Sequence, residues 1–328
     1  MESFVFAVNA VLPIVAMAAL GYLLKRKGIV GKDFAKTGNR LVFKIFLPVM
    51  LFTNVYKIEN IKSVDLSHVF YAAAVTVLVF AAALVSSGFV TKEGTKRGPI
   101  IQGIFRANYA LIGIPLAGSL LGAEGTASAA VLSAFVIPLF NVLAVAALVI
   151  FGKENGKISF SEIALGIIKN PLIQGVAAGF GVLFIREIFV SAEIGFRLFD
   201  IGAVSKIAEY ISAMATPFSL IVLGADFEFS AVASLRKELV FTVAMRCFAV
   251  PLFGIGAAFL LFENSLSGAQ FAAIAALFSA PVAVSSVPMA QEMGGDVTLA
   301  GQIVVWTTVF SAGTIFVSSF LLKAAGIF

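Results

Sequence analysis

Arg106-Ala-Asn-Tyr-Ala-Leu-Ile-Gly-Ile-Pro115-Leu-Ala-Gly118 sits inside one apolar stretch of this chain, and Ser279-Ala-Pro281-Val-Ala-Val-Ser285-Ser286-Val-Pro288 sits inside another. Both mix apolar helix formers with residues that interrupt a helix. In the first, Pro115 removes a backbone donor, and Gly113 and Gly118 loosen the turns around it. In the second, two prolines and three serines predict that a helix stops and restarts. Backbone groups freed in lipid cost several kcal/mol each, so such interruptions persist only where protein buries them or where they line a cavity.

The composition says that lipid is the solvent. Of 328 residues, 60% are hydrophobic and 12% are charged, and the mean hydropathy is +1.04. An ordinary soluble domain is about 45–50% apolar and about 25% charged. A soluble globule of this length could not hide so much apolar surface, which excludes a secreted or cytosolic enzyme. One histidine (His68) and one cysteine (Cys247) exclude intrachain disulfides and Cys/His metal sites. No metal, cofactor or catalytic residue is expected. The net charge of +5 could suit nucleic acid, but the basic residues stand mostly in short connectors between apolar stretches. They read as topology signals, and no nucleic-acid partner is expected.

Ten stretches have spanning length: residues 4–24, 40–56, 69–90, 99–121, 126–151, 170–189, 207–223, 239–262, 269–293 and 297–322. Only helices satisfy their backbone in lipid over such lengths short of a closed barrel, so the expectation is ten transmembrane helices. Met1-Glu2-Ser3 lacks a positive leader, so the first stretch reads as a retained helix, not a cleaved signal. Connectors 1–2, 3–4, 5–6 and 7–8 hold fourteen of the 23 basic residues. The opposite side holds six: Lys57, Lys62, Arg186, Arg197, Lys206 and Lys323. The positive-inside rule then places both termini outside the cytoplasm, in a multi-pass protein of the cell (inner) membrane.

A polar break over residues 152–169 divides five expected spans from five. Two halves with an odd number of spans insert in opposite orientations, so residues 1–151 and 152–328 are read as two inverted five-helix repeats. Pro48 and Pro217, and Pro115 and Pro281, recur at offsets of 169 and 166 residues. On this reading the broken spans 4 and 9 cross at mid-membrane, marked by Gly113, Pro115, Pro281 and Pro288, where positive half-helix ends can hold an anion.

The charges within the spans point the same way. A basic residue near the bilayer centre costs roughly 2.5–3.5 kcal/mol on insertion scales. Arg106 and Arg246 lie at such depths, whereas Lys44 is placed to snorkel to the interface. Asp226, Glu228 and Glu292 all lie near span ends. Mid-membrane carboxylates would suit cation exchange; a basic pair suits a substrate carboxylate. The candidate substrate-binding residues are therefore Arg106, Asn108, Tyr109, Asn141, Arg246, Ser285 and Ser286. All but the two serines have a second reading: for Arg106 and Arg246 an arginine bonded to carbonyls freed by a break, for Asn108 and Tyr109 a side chain satisfying the broken backbone, and for Asn141 a bond to a neighbouring helix. Cys247 and Trp306 read as packing.

These segments resemble the auxin efflux carrier family of membrane transporters, which includes bacterial members proposed to carry malonate or malate. The matching stretches, in order, are residues 39–52 with Pro48, 105–116 with Asn108 and Pro115, 137–145 with Asn141, 169–172, and 280–296. The second is the most specific. The resemblance implies a fold like that of bacterial sodium/proton antiporters and bile-acid symporters. It also implies a scaffold of helices 1, 2, 6 and 7, a transport domain of helices 3–5 and 8–10, an elevator-type movement of one past the other, and a homodimer through the scaffold. The short central break and Arg106 before the asparagine depart from the plant carriers, pointing from auxin-like acids toward a small mono- or dicarboxylate.

The leading expectation is thus a secondary transporter of a small organic anion by alternating access. The alternative transport reading is a sodium-coupled organic-anion symporter of the bile-acid type. A membrane enzyme would need a nucleophile, paired acids or a metal cluster at depth, and the chain offers little to build one.

Overall fold

The computed structural model describes residues 2–31, 33–57, 66–152, 160–263 and 265–328. Met1 and four lysines used above for orientation (Lys32, Lys62, Lys153 and Lys157) lie outside the described residues, as does most of the polar break before residue 160. Fifteen α-helices follow one another among the described residues: α1 (Glu2–Arg26), α2 (Phe34–Leu41), α3 (Leu47–Tyr56), α4 (Ser67–Val90), α5 (Gly94–Phe105), α6 (Ile114–Phe151), α7 (Phe160–Lys169), α8 (Pro171–Ser191), α9 (Gly202–Asp226), α10 (Ala231–Ser234), α11 (Arg236–Ala244), α12 (Val250–Phe262), α13 (Gly268–Ser279), α14 (Ser286–Glu292) and α15 (Val297–Ala324).

Three wider π turns, Val42–Phe46, Tyr109–Gly113 and Met245–Ala249, lead directly into α3, α6 and α12. One local cause explains all three. Each is followed two residues later by a proline: Pro48, Pro115 and Pro251. A helical proline ring collides with the carbonyl four residues back, here that of Lys44, Leu111 or Cys247, inside the π turn. The residue before each proline instead bonds five residues back: Leu47 to Val42, Ile114 to Tyr109 and Val250 to Met245. One i→i+5 turn takes up the misfit and the chain remains helical.

Ten spanning helices in two inverted five-helix repeats are not what this fold contains. Among the described residues, six helical runs are long and apolar enough to cross a membrane: Ser67–Val90, Tyr109–Phe151, Pro171–Ser191, Gly202–Asp226, Arg236–Phe262 and Val297–Ala324. Part of the difference lies in residues 4–24, which lie within the unbroken α1 but are not among the six runs, and part arises where apolar stretches are cut or joined. The stretch at 40–56 stays helical across its π turn but carries Arg40, Lys44 and Asn54 and is not among the runs apolar enough to span, while that at 269–293 is divided between α13 and α14. The stretch at 99–121 loses its first part to α5, and its remainder joins 126–151 in one run. That run leaves helical geometry only at Leu121 and Gly122, where Gly122 takes a positive φ of 58° that glycine adopts without a Cβ penalty. The protein is an all-α, multi-pass membrane protein with six long apolar helices among the described residues.

The helices pack closely through small residues, as lipid-embedded helices do when apolar surface gives no preference for a neighbour over lipid. α1 lies along α9, and α3 along α8. Gly224 of α9 faces the Ala18 backbone of α1, while Gly21 of α1 faces the Ile221 backbone of α9. A Cβ at either position would strike a carbonyl oxygen, and a helix backbone cannot step aside. Gly224→Val is therefore expected to destabilise the protein by about 3 kcal/mol, seen as a lower midpoint in a thermal unfolding series in detergent.

On the other side of the molecule α6 packs on α13, α4 on α5, and α11 and α14 on α15. α2 is tied to α14 by polar contacts: Asn39 Nδ2 donates to Gln291 Oε1 (3.0 Å), Gln291 Nε2 donates to the Lys36 carbonyl (2.9 Å), and Arg40 pairs with Glu292 (3.7 Å).

Candidate functional site

Two interruptions meet inside the protein. α5 ends at Phe105 and the chain is extended at Arg106 and Ala107 and turns at Asn108 before the π turn begins at Tyr109. α13 ends at Ser279, and α14 starts at Ser286. The extended pieces run antiparallel, with Ala107 bridged to Val282. The Asn108 amide donates to the Pro281 carbonyl (2.7 Å) and the Ala283 amide to the Arg106 carbonyl (3.4 Å). Each broken backbone thus satisfies part of the other, as burial away from water requires.

The break in the first segment falls at 106–108, ahead of Gly113 and Pro115. Pro115 is absorbed by the π turn, and Gly113 has another use: a Cβ there would strike the Tyr109 ring, so glycine makes room for it. Pro281 lies in the second break, and Pro288 lies within α14.

Arg246 holds the crossing together. Its Nε donates to the Ala280 carbonyl (2.9 Å), Nη2 to those of Ala280 (2.5 Å) and Leu277 (3.0 Å), and Nη1 to those of Ile104 (3.3 Å) and Phe105 (3.5 Å). These carbonyls end α5 and α13, where a helix leaves acceptors unpaired and carries partial negative charge. A guanidinium has five N–H groups, and all five are engaged. Arg246 is 1% exposed and has no donor left for a ligand. Of its two sequence readings, the geometry has the one in which it bonds carbonyls freed by the break.

Arg106 is placed differently. It is buried (4% exposed), and its Nη2 donates to Asn141 Oδ1 (2.7 Å), its Nη1 to Gln102 Oε1 (3.1 Å) and to the Met289 sulfur. All three partners are neutral. Among the described residues no carboxylate pairs with it, and two of its five N–H groups remain. An unpaired buried charge is expensive, which is why such charges are normally paired. Because Asn141 turns its oxygen to the arginine, its Nδ2 is left buried without an acceptor; Asn108 Nδ2 and Gln102 Nε2 are also buried and unpartnered.

Arg106, Asn108, Tyr109, Asn141 and Ser285 line one cavity of about 60 Å³. Its remaining wall is apolar: Leu47, Met50 and Leu51 from the π turn side and α3, Leu172 from α8, and Ile137 and Phe140 from α6. Tyr109 and Ala110, the first residues of the helical run, also border it, and amides at that position have no intrahelical acceptor. The Tyr109 hydroxyl is turned away and donates to the Ala273 carbonyl (3.1 Å). Ser286, Arg246, Gly113, Pro115, Pro281 and Pro288 do not line this cavity. Sequence reading missed Gln102, Met289 and the apolar wall. Gln102 was within reach, since it stands one helical turn before Arg106; Met289 carries no sequence signal of its role.

The cavity is thus rich in donors and poor in acceptors, with one uncompensated positive charge. Chemically it suits a small anion whose oxygens accept several hydrogen bonds.

Comparison with known proteins agrees with this setting. Residues 6–169, half of the chain, match the family described as membrane transport protein. A protein of Methanothermobacter thermautotrophicus named uncharacterized transporter is 23% identical over 317 residues, covering 94% of this chain and 96% of that one.

Proposed function

Because the chain belongs to the membrane transport protein family, and is on that ground a transporter and not an enzyme, we propose that it is a secondary carrier for a small organic anion held by Arg106, Asn108 and Asn141. The observation that carries this reading is the buried Arg106 guanidinium with no acidic partner among the described residues, flanked by two buried amide nitrogens without acceptors. A carboxylate supplies both missing components: a negative charge for the arginine and oxygens for the amides.

Size narrows the class. A water needs about 10–15 Å³ of such space, so 60 Å³ has room for about four water-sized groups. That suits a carboxylate on a short carbon chain; acids of the malonate or malate class, with seven or more non-hydrogen atoms, need the cavity to widen around them. A fused-ring acid of the auxin kind would require the walls to part.

The cavity lies between two groups of helices. One wall comes from α3 and α8, which pack on each other, α3 packing also with α9 and through it α1; the other comes from the crossing segments and α6. This supports an elevator-type step in which α4–α6 and α11–α15 carry the anion past a scaffold of α1–α3, α8 and α9. The Asn39–Gln291 and Arg40–Glu292 contacts between α2 and α14 would break in that step. A homodimer through the scaffold, and both termini outside the cytoplasm, belong to the same reading.

The test is uptake of short mono- and dicarboxylates into proteoliposomes, with sodium replaced by potassium in a parallel series. Uptake that persists in potassium supports a carrier that needs no sodium. Uptake abolished in potassium would replace this mechanism with sodium symport, and no carboxylate flux under either condition would overturn the substrate class. Asn141→Asp gives a sharper outcome. The new carboxylate would pair with Arg106 and occupy the ligand's role, so carboxylate binding is expected to fall by about a hundredfold while the ligand-free protein gains stability. Paired thermal-shift titrations of the two proteins check both parts.

A further inference from the structure

A second concave region lies away from the crossing, on the face of α11 and α12 beside α15. Two cavities run end to end there, of about 370 Å³ and 620 Å³, and they share Phe248 and Phe310. Together they form a groove with an almost wholly apolar lining. The larger is lined in part by Gly256 and Gly313, where an added Cβ would meet no protein atom within 4 Å. The groove therefore exists partly because side chains are missing from its lining.

Its open side is flanked by exposed apolar residues, including Val240, Leu252 and Val317. An apolar void of this kind holds no ordered water, so in a bilayer its natural occupant is hydrocarbon. At one end stands Arg236, exposed and in no ion pair among the described residues. Trp306, four residues before Phe310, lines the smaller cavity and donates its Nε1–H to Gln302 (3.1 Å), so its one polar atom is turned to protein and its ring to the groove. Arg236 to Phe248 is twelve residues of helix, about 18 Å, against about 15 Å for one leaflet of a 30 Å core. A tail whose headgroup sits at Arg236 thus reaches Phe248, where the larger cavity opens to receive its tip.

We propose that this groove is a binding site for one anionic phospholipid, its phosphate against Arg236 and a tail between Ala244 and Phe310. The charge at the groove end selects a phospholipid bearing net negative charge over a zwitterionic one, and the length and apolar lining select an acyl chain over a protein side chain.

The experiment is native mass spectrometry of the delipidated full-length protein, titrated with an equimolar mixture of phosphatidylglycerol and phosphatidylcholine. The wild type is expected to retain one phosphatidylglycerol. Arg236→Gln should lower the preference for it about fivefold, the worth of one basic residue at a lipid surface. Ala244→Phe and Gly313→Leu should each displace the lipid; Gly313→Leu adds its side chain to open space, so its fold is kept. Unchanged lipid retention in all three variants would overturn the proposal, as would retention with no headgroup preference in the wild type. A dimer abolished by Gly313→Leu would also overturn it, by seating a second copy of the chain in the groove.

Discussion

Arg106→Gln is expected to abolish carboxylate transport while leaving the ligand-free protein at least as stable as the wild type. The two halves of this result have one cause. In the ligand-free protein Arg106 is buried with neutral partners only, so its charge is a burden the fold carries without compensation. Glutamine keeps a donor for Asn141 and removes the charge. Once a carboxylate enters, the same charge becomes the largest attraction in the cavity. Truncating one partner of a buried, hydrogen-bonded charge pair costs about 2–5 kcal/mol, or a roughly thirtyfold to several-thousandfold loss of affinity. Thermal-shift titration separates the halves: a ligand that binds only the folded state raises its midpoint, and that rise should vanish in the variant while the ligand-free midpoint does not fall. A general loss of stability would mean that Arg106 pins the helix break and has no further role.

Arg246→Met is expected to do the reverse. Five hydrogen bonds from one cation hold the ends of α5 and α13, and methionine leaves their carbonyls buried without a donor. Each unsatisfied buried group costs about 1–3 kcal/mol, so a total loss above about 4 kcal/mol is expected, at the upper end of what single substitutions do. Arg246→Lys retains the charge and part of the bonding and should fall between. The measurement is the unfolding midpoint of all three proteins in one detergent, together with carboxylate affinity of the folded fraction of the lysine variant. Affinity retained within a few-fold assigns Arg246 to positioning. Affinity lost in proportion to charge geometry, with stability intact, would place it on the substrate.

The contrast between these arginines explains what the sequence could and could not convey. Both are basic residues inside apolar stretches, and by depth alone they are equivalent. Arg106 stands within the interruption, four residues after Gln102 and two before Asn108, so its polar surroundings are partly local and readable. The partners of Arg246 are main-chain carbonyls of Ile104, Phe105, Leu277 and Ala280, from segments more than thirty residues away on either side. Every residue has a carbonyl, so no side-chain pattern announces such a contact. Tyr109 shows the same limit, since its hydroxyl direction is set by the Ala273 carbonyl of a distant helix.

Membrane character was legible because it rests on bulk composition, which tertiary contacts do not alter. The number and arrangement of the spans were not. Hydropathy registers an apolar stretch whether the helix within it is whole or divided, and the π turns ahead of Pro48, Pro115 and Pro251 keep chain segments helical where proline alone predicts a break. In the opposite sense, the non-helical pieces at 106–108 and 280–285 part helices within stretches that hydropathy reads as continuous. The ten-span inverted repeat inferred from the polar break and the paired prolines gives way, among the described residues, to six long apolar helices joined by shorter ones.

Equilibrium binding of radiolabelled two- to four-carbon carboxylates to the purified wild type, Arg106→Gln and Arg246→Lys proteins is the most direct test of the anion cavity. Saturable binding of at least one acid at one molecule per chain is expected, lost in Arg106→Gln and kept in Arg246→Lys. An acid that binds Arg106→Gln as tightly as the wild type would contradict a site built on that guanidinium.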